Sequence, residues 1–204
     1  LGFTALIDGN SKPFRMDRDG RHKTDLTKNS NGFAYGFSSS PDGSRISYHE
    51  NYQVYLADAD GSNRVHVQTG HPFVFVPSWS PDGTALVYAA RTAPGEPFRI
   101  FVARADGSGR QQLTSQKAGS DRAPVWSPDG TRIAFVSDRD GGFPELYLMN
   151  AGGTGVKRLT TNALIDANPS WSPDGTRVVF ERCCENGTSD LFTVDVTTRA
   201  EIGV

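Results

Sequence analysis

Trp126-Ser127-Pro128-Asp129-Gly130-Thr131 occurs three times in this chain, again as Trp79-Ser80-Pro81-Asp82-Gly83-Thr84 and as Trp171-Ser172-Pro173-Asp174-Gly175-Thr176. A fourth copy, Ser39-Ser40-Pro41-Asp42-Gly43-Ser44, lacks the tryptophan. The prolines at 41, 81, 128 and 173 are separated by 40, 47 and 45 residues. Similarity at such a period marks a repeat architecture, in which each unit buries its apolar faces only against its neighbours. In Ser-Pro-Asp-Gly, proline presets φ near −65° for the second turn position, and aspartate suits the third. Glycine takes the positive φ that closes a type I turn with a bulge. The motif therefore predicts a tight hairpin.

Working outward, each turn is followed by an apolar run, as in Ala85-Leu86-Val87-Tyr88 or Arg132-Ile133-Ala134-Phe135. A second run comes after a polar break, as in Ile100-Phe101-Val102 or Leu146-Tyr147-Leu148, and an Asp/Gly turn and a short polar segment complete the unit. Each unit reads as four short antiparallel strands. Prolines 77, 124 and 169 stand in the first strand of their units, and proline lacks a ladder donor, so that strand is expected at an edge. The middle strands are apolar on both faces, as expected between stacked sheets. The fourth strand is polar and is expected at the wet outer edge. No segment sustains a 3.6-residue apolar period, since Gly or Pro interrupts every candidate window. These features predict an all-β fold, a β-propeller of four-stranded antiparallel blades.

The expected units are 33–69, 73–115, 120–160 and 165–204, with a partial unit at 1–28. That partial unit matches strands two to four and lacks an inner strand, giving about five blades in a single propeller domain. Two arrangements follow, a five-bladed ring with one three-stranded blade or part of a larger propeller. The 204 residues carry 21 Lys+Arg and 23 Asp+Glu, a net charge of −2. That balance excludes a binder that takes nucleic acid through a basic surface, and no apolar run is long enough for a membrane span. The adjacent Cys183 and Cys184 cannot staple distant segments and read as two thiols, with a strained vicinal disulfide as the alternative. Asn186-Gly187-Thr188 is a glycosylation sequon, relevant only in a eukaryotic secretory setting. The chain opens at Leu1 without a visible signal segment, as expected of a processed or excised N-terminus.

The stretch Asp121–Thr160 contains Asp121-Arg122-Ala123-Pro124-Val125-Trp126-Ser127-Pro128-Asp129-Gly130, then Ser137-Asp138-Arg139-Asp140-Gly141-Gly142, then Glu145-Leu146-Tyr147-Leu148-Met149-Asn150. It resembles the TolB-type propeller repeat, and the resemblance covers nearly the whole chain. It implies a propeller fold and a periplasmic or extracellular setting. For function it implies a choice: partner proteins of the cell envelope, a propeller attached to a hydrolase, or a sugar-acting protein.

Because Trp79, Trp126 and Trp171 repeat with the fold, they are expected to pack between blades. Asp42, Asp82, Asp129 and Asp174 are expected to satisfy turn amides. Residues that differ between units are the better site candidates. Asp121 and Asp166 start their inner strands where Val74 and Ala34 stand in other units, so Asp121, Arg122, Asp166 and Asn168 are expected as a polar rim at the channel mouth. Tyr35, Phe73 and Phe75 are expected there as stacking surfaces for a sugar or a peptide side chain.

The turns Asp17-Arg18-Asp19-Gly20, Asp58-Ala59-Asp60-Gly61 and Asp138-Arg139-Asp140-Gly141 look like the start of calcium loops. None is followed by a bidentate glutamate, and tight-turn chemistry accounts for the same residues. No metal or other cofactor is expected, with calcium as the open alternative. No nucleophile elbow or phosphate-binding glycine loop is present. The expected role is a non-catalytic module that holds a protein or peptide partner. The alternatives are an accessory propeller of a larger hydrolase or polysaccharide lyase, and a lectin-like glycan binder.

Overall fold

The computed structural model describes residues 2–7, 10–17, 19–27, 34–115, 118–183 and 188–204, and for residues 2–7, 10, 11 and 35 the backbone alone. Cys184 and the asparagine of the sequon lie outside this set. The described residues contain strands and turns without a helix, and so no helix long and apolar enough to cross a membrane.

Five antiparallel sheets follow one another along the chain. The first has three strands, β1 (Gly2–Ile7), β2 (Asn10–Arg15) and β3 (Thr24–Asp25). The second holds β4 (Ala34–Ser39), β5 (Arg45–Glu50), β6 (Gln53–Asp58) and β7 (Val65–Val67). The third holds β8 (Phe73–Trp79), β9 (Ala85–Arg91), β10 (Arg99–Arg104) and β11 (Gln111–Gln112). The fourth holds β12 (Asp121–Trp126), β13 (Arg132–Ser137), β14 (Glu145–Asn150) and β15 (Lys157–Arg158). The last holds β16 (Asp166–Trp171), β17 (Arg177–Cys183), β18 (Ser189–Asp195) and β19 (Glu201–Gly203).

Strand order is sequential in every sheet, so each is a meander. The proline-bearing β8, β12 and β16 are edge strands, as their missing donors require. The two central strands carry the core, β13 being buried along nearly its whole length and β14 likewise. The outer β11 is exposed.

Apolar residues form four clusters, one between each pair of successive sheets. Leu26 with Ile46 and Tyr48 joins the first two. Leu56 with Tyr88 joins the second and third, Ile100 with Phe135 the third and fourth, and Leu148 with Phe180 the fourth and fifth. Burying one such side chain contributes roughly 1.5–3 kcal/mol. Trp79 belongs to the second of these clusters, Trp126 packs against the third and Trp171 against the fourth, which puts all three between blades. Contacts run from sheet to sheet, and among the described residues no strand of the last sheet packs substantially on the first. Among the described residues the sheets therefore follow one another as an arc, without the contact that would close a five-bladed ring.

Candidate functional site

The two ends of each blade are built differently. At one end lie the Ser-Pro-Asp-Gly turns, whose hydrogen bonds repeat from unit to unit. The Ser127 hydroxyl donates to Asp129 Oδ1 at 2.6 Å and accepts from the Arg132 amide at 2.9 Å. Asp129 Oδ1 also accepts from the Thr131 amide at 3.0 Å, and Gly130 closes the turn onto the Ser127 carbonyl at 2.9 Å with φ 71°. Asp42, Asp82 and Asp174 receive the same serine hydroxyl and downstream amide. These donors, the serine hydroxyl first, hold the carboxyls of Asp42, Asp129 and Asp174 down at about 2. The Asp-rich turns act similarly: Asp60 caps Ser62 through its amide at 2.9 Å and its hydroxyl at 2.6 Å. Among the described residues, no three His, Cys, Asp or Glu side chains are grouped as a metal site.

At the other end, every complete blade has a bulge in its inner strand. The register shifts between Tyr35 and Ser38, Phe75 and Ser78, Arg122 and Val125, and Ala167 and Ser170. Inside each shift one residue is left-handed: Gly36 (φ 64°), Val76 (48°), Ala123 (48°) and Asn168 (50°). Only the glycine adopts this freely, and a β-branched valine there is strained. Bulges bend a strand and re-aim its side chains. Three of these bulged strands converge on a cavity of about 370 Å³. Phe75, Phe98 and Val136 contribute apolar walls, while Arg122, Asp166 and Asn168 bring polar groups.

Four of the seven candidate residues thus meet, namely Phe75, Arg122, Asp166 and Asn168. Asp121 does not belong to an open rim. It is fully buried, accepting from Ser137 Oγ and Arg139 Nη2, each at 2.7 Å. Asp166 is also fully buried, and Arg182 grips it through Nε at 2.6 Å and Nη2 at 2.9 Å. Asn162 Nδ2 links Asp166 to Glu145, at 3.0 Å from each. The expected rim acids are internal ion pairs, because Asp166 faces Arg182 across the ladder and Asp121 faces Ser137, two residues before Arg139. Phe73 packs edge-on against Tyr52, centroids 5.5 Å apart, outside the cavity lining. The Tyr35 side chain lies outside the described residues.

Phe98, Pro144 and Ile165, which complete the cavity, were not anticipated from the sequence. They come from connecting segments of three units, where periodicity carries no signal. Phe98 meets Phe75 edge-on at 5.1 Å. The Arg122 guanidinium lies 5.8 Å from the Phe98 centroid and 3.5 Å from Asp138. Below them, burial pushes the His49 imidazole down to about 4, so the ring is neutral where it meets Phe75 at 5.2 Å.

Among solved structures, the chain is similar to TolB from Acinetobacter baumannii, with 22% identity and a TM-score of 0.77 over 95% of this chain and 48% of that one. It is similar to an oligogalacturonate lyase from Vibrio parahaemolyticus, with 16% identity and a TM-score of 0.69 over 100% of this chain and 61% of that one. A chain of the nidogen/laminin complex matches at 13% identity and a TM-score of 0.72, over 100% of this chain and 88% of that one. The chain spans about half of the TolB structure and about three-fifths of the lyase. At these identities the likeness is one of fold. The family model described as the TolB beta propeller domain matches residues 47–201. With that match over most of its length and a repeated Trp-Ser-Pro-Asp-Gly turn in every full blade but one, the chain belongs to the TolB β-propeller domain family.

Proposed function

We propose that this chain is a non-catalytic binding module that holds a protein or peptide partner at the bulged end of its blades. The observation that carries the reading is the cavity of about 370 Å³ where three bulged inner strands converge, apolar on its walls with Arg122 and Asn168 at its side. A concave apolar site with a few convergent polar groups is the usual form of a ligand site, and strained backbone concentrates where such sites are built. Connecting segments on a rigid scaffold supply the remaining walls. The family resemblance supports an extracytoplasmic setting, periplasmic or extracellular.

A random heptapeptide library, selected on the chain and counter-selected on Ala167→Trp, tests this. Ala167 lines the cavity and is only half-buried, so the indole fills the site without entering a blade core. Peptides that bind the chain and lose binding to the variant are expected. An absence of such peptides, with both proteins folded, overturns the reading.

A further inference from the structure

Beside the cavity, against the Phe98 ring, stands a charge that the fold itself leaves unanswered. In the last two sheets the first residue of the inner strand neutralises an arginine, which stands two residues beyond β13 in one and within β17 in the other. Arg139 pairs with Asp121 at 2.7 Å and Arg182 with Asp166 at 2.6 Å. The third sheet carries an arginine at the same end of its second strand, Arg91, the last residue of β9, which pairs with Phe73. Its inner strand offers Val74 at the position of the two aspartates. Among the described residues the Arg91 side chain makes no hydrogen bond or ion pair, and its Nε is buried without a partner. Its guanidinium lies 4.7 Å from the Phe73 centroid and 4.9 Å from that of Phe98. Arg122 flanks the same Phe98 ring, and its ion pair to Asp138 is long at 3.5 Å. Two cations therefore stand against Phe98, one wall of the apolar cavity, and Arg91 has no carboxylate partner among the described residues.

A buried guanidinium N–H without an acceptor carries the full cost of its lost hydration. A carboxylate relieves that cost and accepts from the planar fork in two places, while the flanking rings hold the guanidinium in plane beforehand. The cavity beside it suits a leucine- or phenylalanine-sized side chain. Its walls of Phe75, Val76, Ala89, Phe98 and Val136 suit such a side chain, and its polar groups, Arg122, Asp166 and Asn168, are few against the hydroxyls of a sugar ring.

We infer that Arg91, with Arg122 beside it, seats a carboxylate of an acidic peptide segment whose neighbouring apolar side chain enters the cavity. The inference rests on the peptide-binding reading above and names its ligand class.

Peptides obtained by the library selection are compared with analogues in which each Asp or Glu is replaced by Asn or Gln, using titration calorimetry. The chain, Arg91→Gln, Arg91→Lys and Arg122→Gln are tested, with thermal melts to verify folding. The carboxylate-to-amide change and Arg91→Gln are each expected to weaken binding at least about 10-fold. Their combined effect should be less than additive, because they remove one contact. Arg91→Lys keeps the charge without the fork and is expected to fall between. If acid and amide peptides bind alike, or a folded Arg91→Gln binds within twofold of the parent, this inference fails and the peptide-binding reading stands. If selection yields no peptide, or only oligouronides bind, both fail.

Discussion

At the scale of single residues, Asp129 shows how a turn carboxylate acquires a pH dependence. Its carboxyl sits at about 2 in the folded chain, against an ordinary 3.8, because Ser127 and Thr131 donate to the ionised form. The unfolded chain therefore takes up this proton first as pH falls, and the stabilisation is present above about pH 4 and lost on the way to pH 2. Asp42 and Asp174 behave alike, and Asp82 is shifted in the same direction. Asp129→Asn is expected to melt below the parent at neutral pH, with the difference closing as pH approaches 2. Thermal melts across pH 2–7 measure it, and a gap independent of pH would exclude the ionised carboxylate as its source. His49 has the same sign from another cause. Burial keeps its ring neutral until about pH 4, so its share of stability is lost as pH falls from the ordinary histidine range to that point.

At the scale of the strand, the bulge is the element that makes a site out of a repeat. Val76 occupies the left-handed position that glycine fills in the second sheet and asparagine in the fifth. Asparagine tolerates that conformation and valine does not, so Val76→Asn is expected to stabilise by about 0.5–1 kcal/mol, a fraction of the left-handed cost. Urea denaturation measures the change in midpoint, and a loss of stability would show that the valine's packing outweighs its strain. The proline-bearing edge strands and the turn-forming tetrapeptides could be read from sequence, because each depends on local chemistry, a missing donor or a fixed φ. The bulges could not. A register shift between Arg122 and Val125 depends on the pairing of β12 with β13, which no single segment encodes. The partners of Asp121 and Asp166 were hidden for the same reason. Arg139 and Arg182 stand 18 and 16 residues away and become neighbours only once the strands pair, turning an expected open rim into internal salt links.

At the scale of the whole arc, the blades are joined by backbone contacts as well as by apolar clusters. The glycine of the third turn in a blade rests on the end of the preceding blade. A Cβ at Gly153 would stand 2.6 Å from the Leu113 carbonyl oxygen, and one at Gly61 would stand 2.5 Å from that of Leu26. Gly141 has a similar φ of 77° with open space around it. Gly141→Ala is thus expected to lose about 1 kcal/mol, the conformational cost alone. Gly153→Ala adds the clash between blades, for a loss of about 2–4 kcal/mol. Urea denaturation of the two variants separates the contributions, and equal losses would mean that the neighbouring blade yields to the methyl group. The Ser-Pro-Asp-Gly turns form a second chain of contacts, for a Cβ at Gly83 would meet Pro41 at 3.6 Å, and one at Gly175 would meet Pro128 at 3.7 Å. Each of these four turns spans five residues, 40–44, 80–84, 127–131 and 172–176. Between the second and third strands, by contrast, the connection grows from two residues at 51–52 to seven at 92–98 and 138–144, and the longer ones deliver Phe98 and Pro144 to the cavity. One end of the molecule is thereby held invariant by its neighbours while the other is free to drift. A lineage carrying this fold can exchange one ligand for another through insertions at the bulged end without renegotiating how its blades assemble.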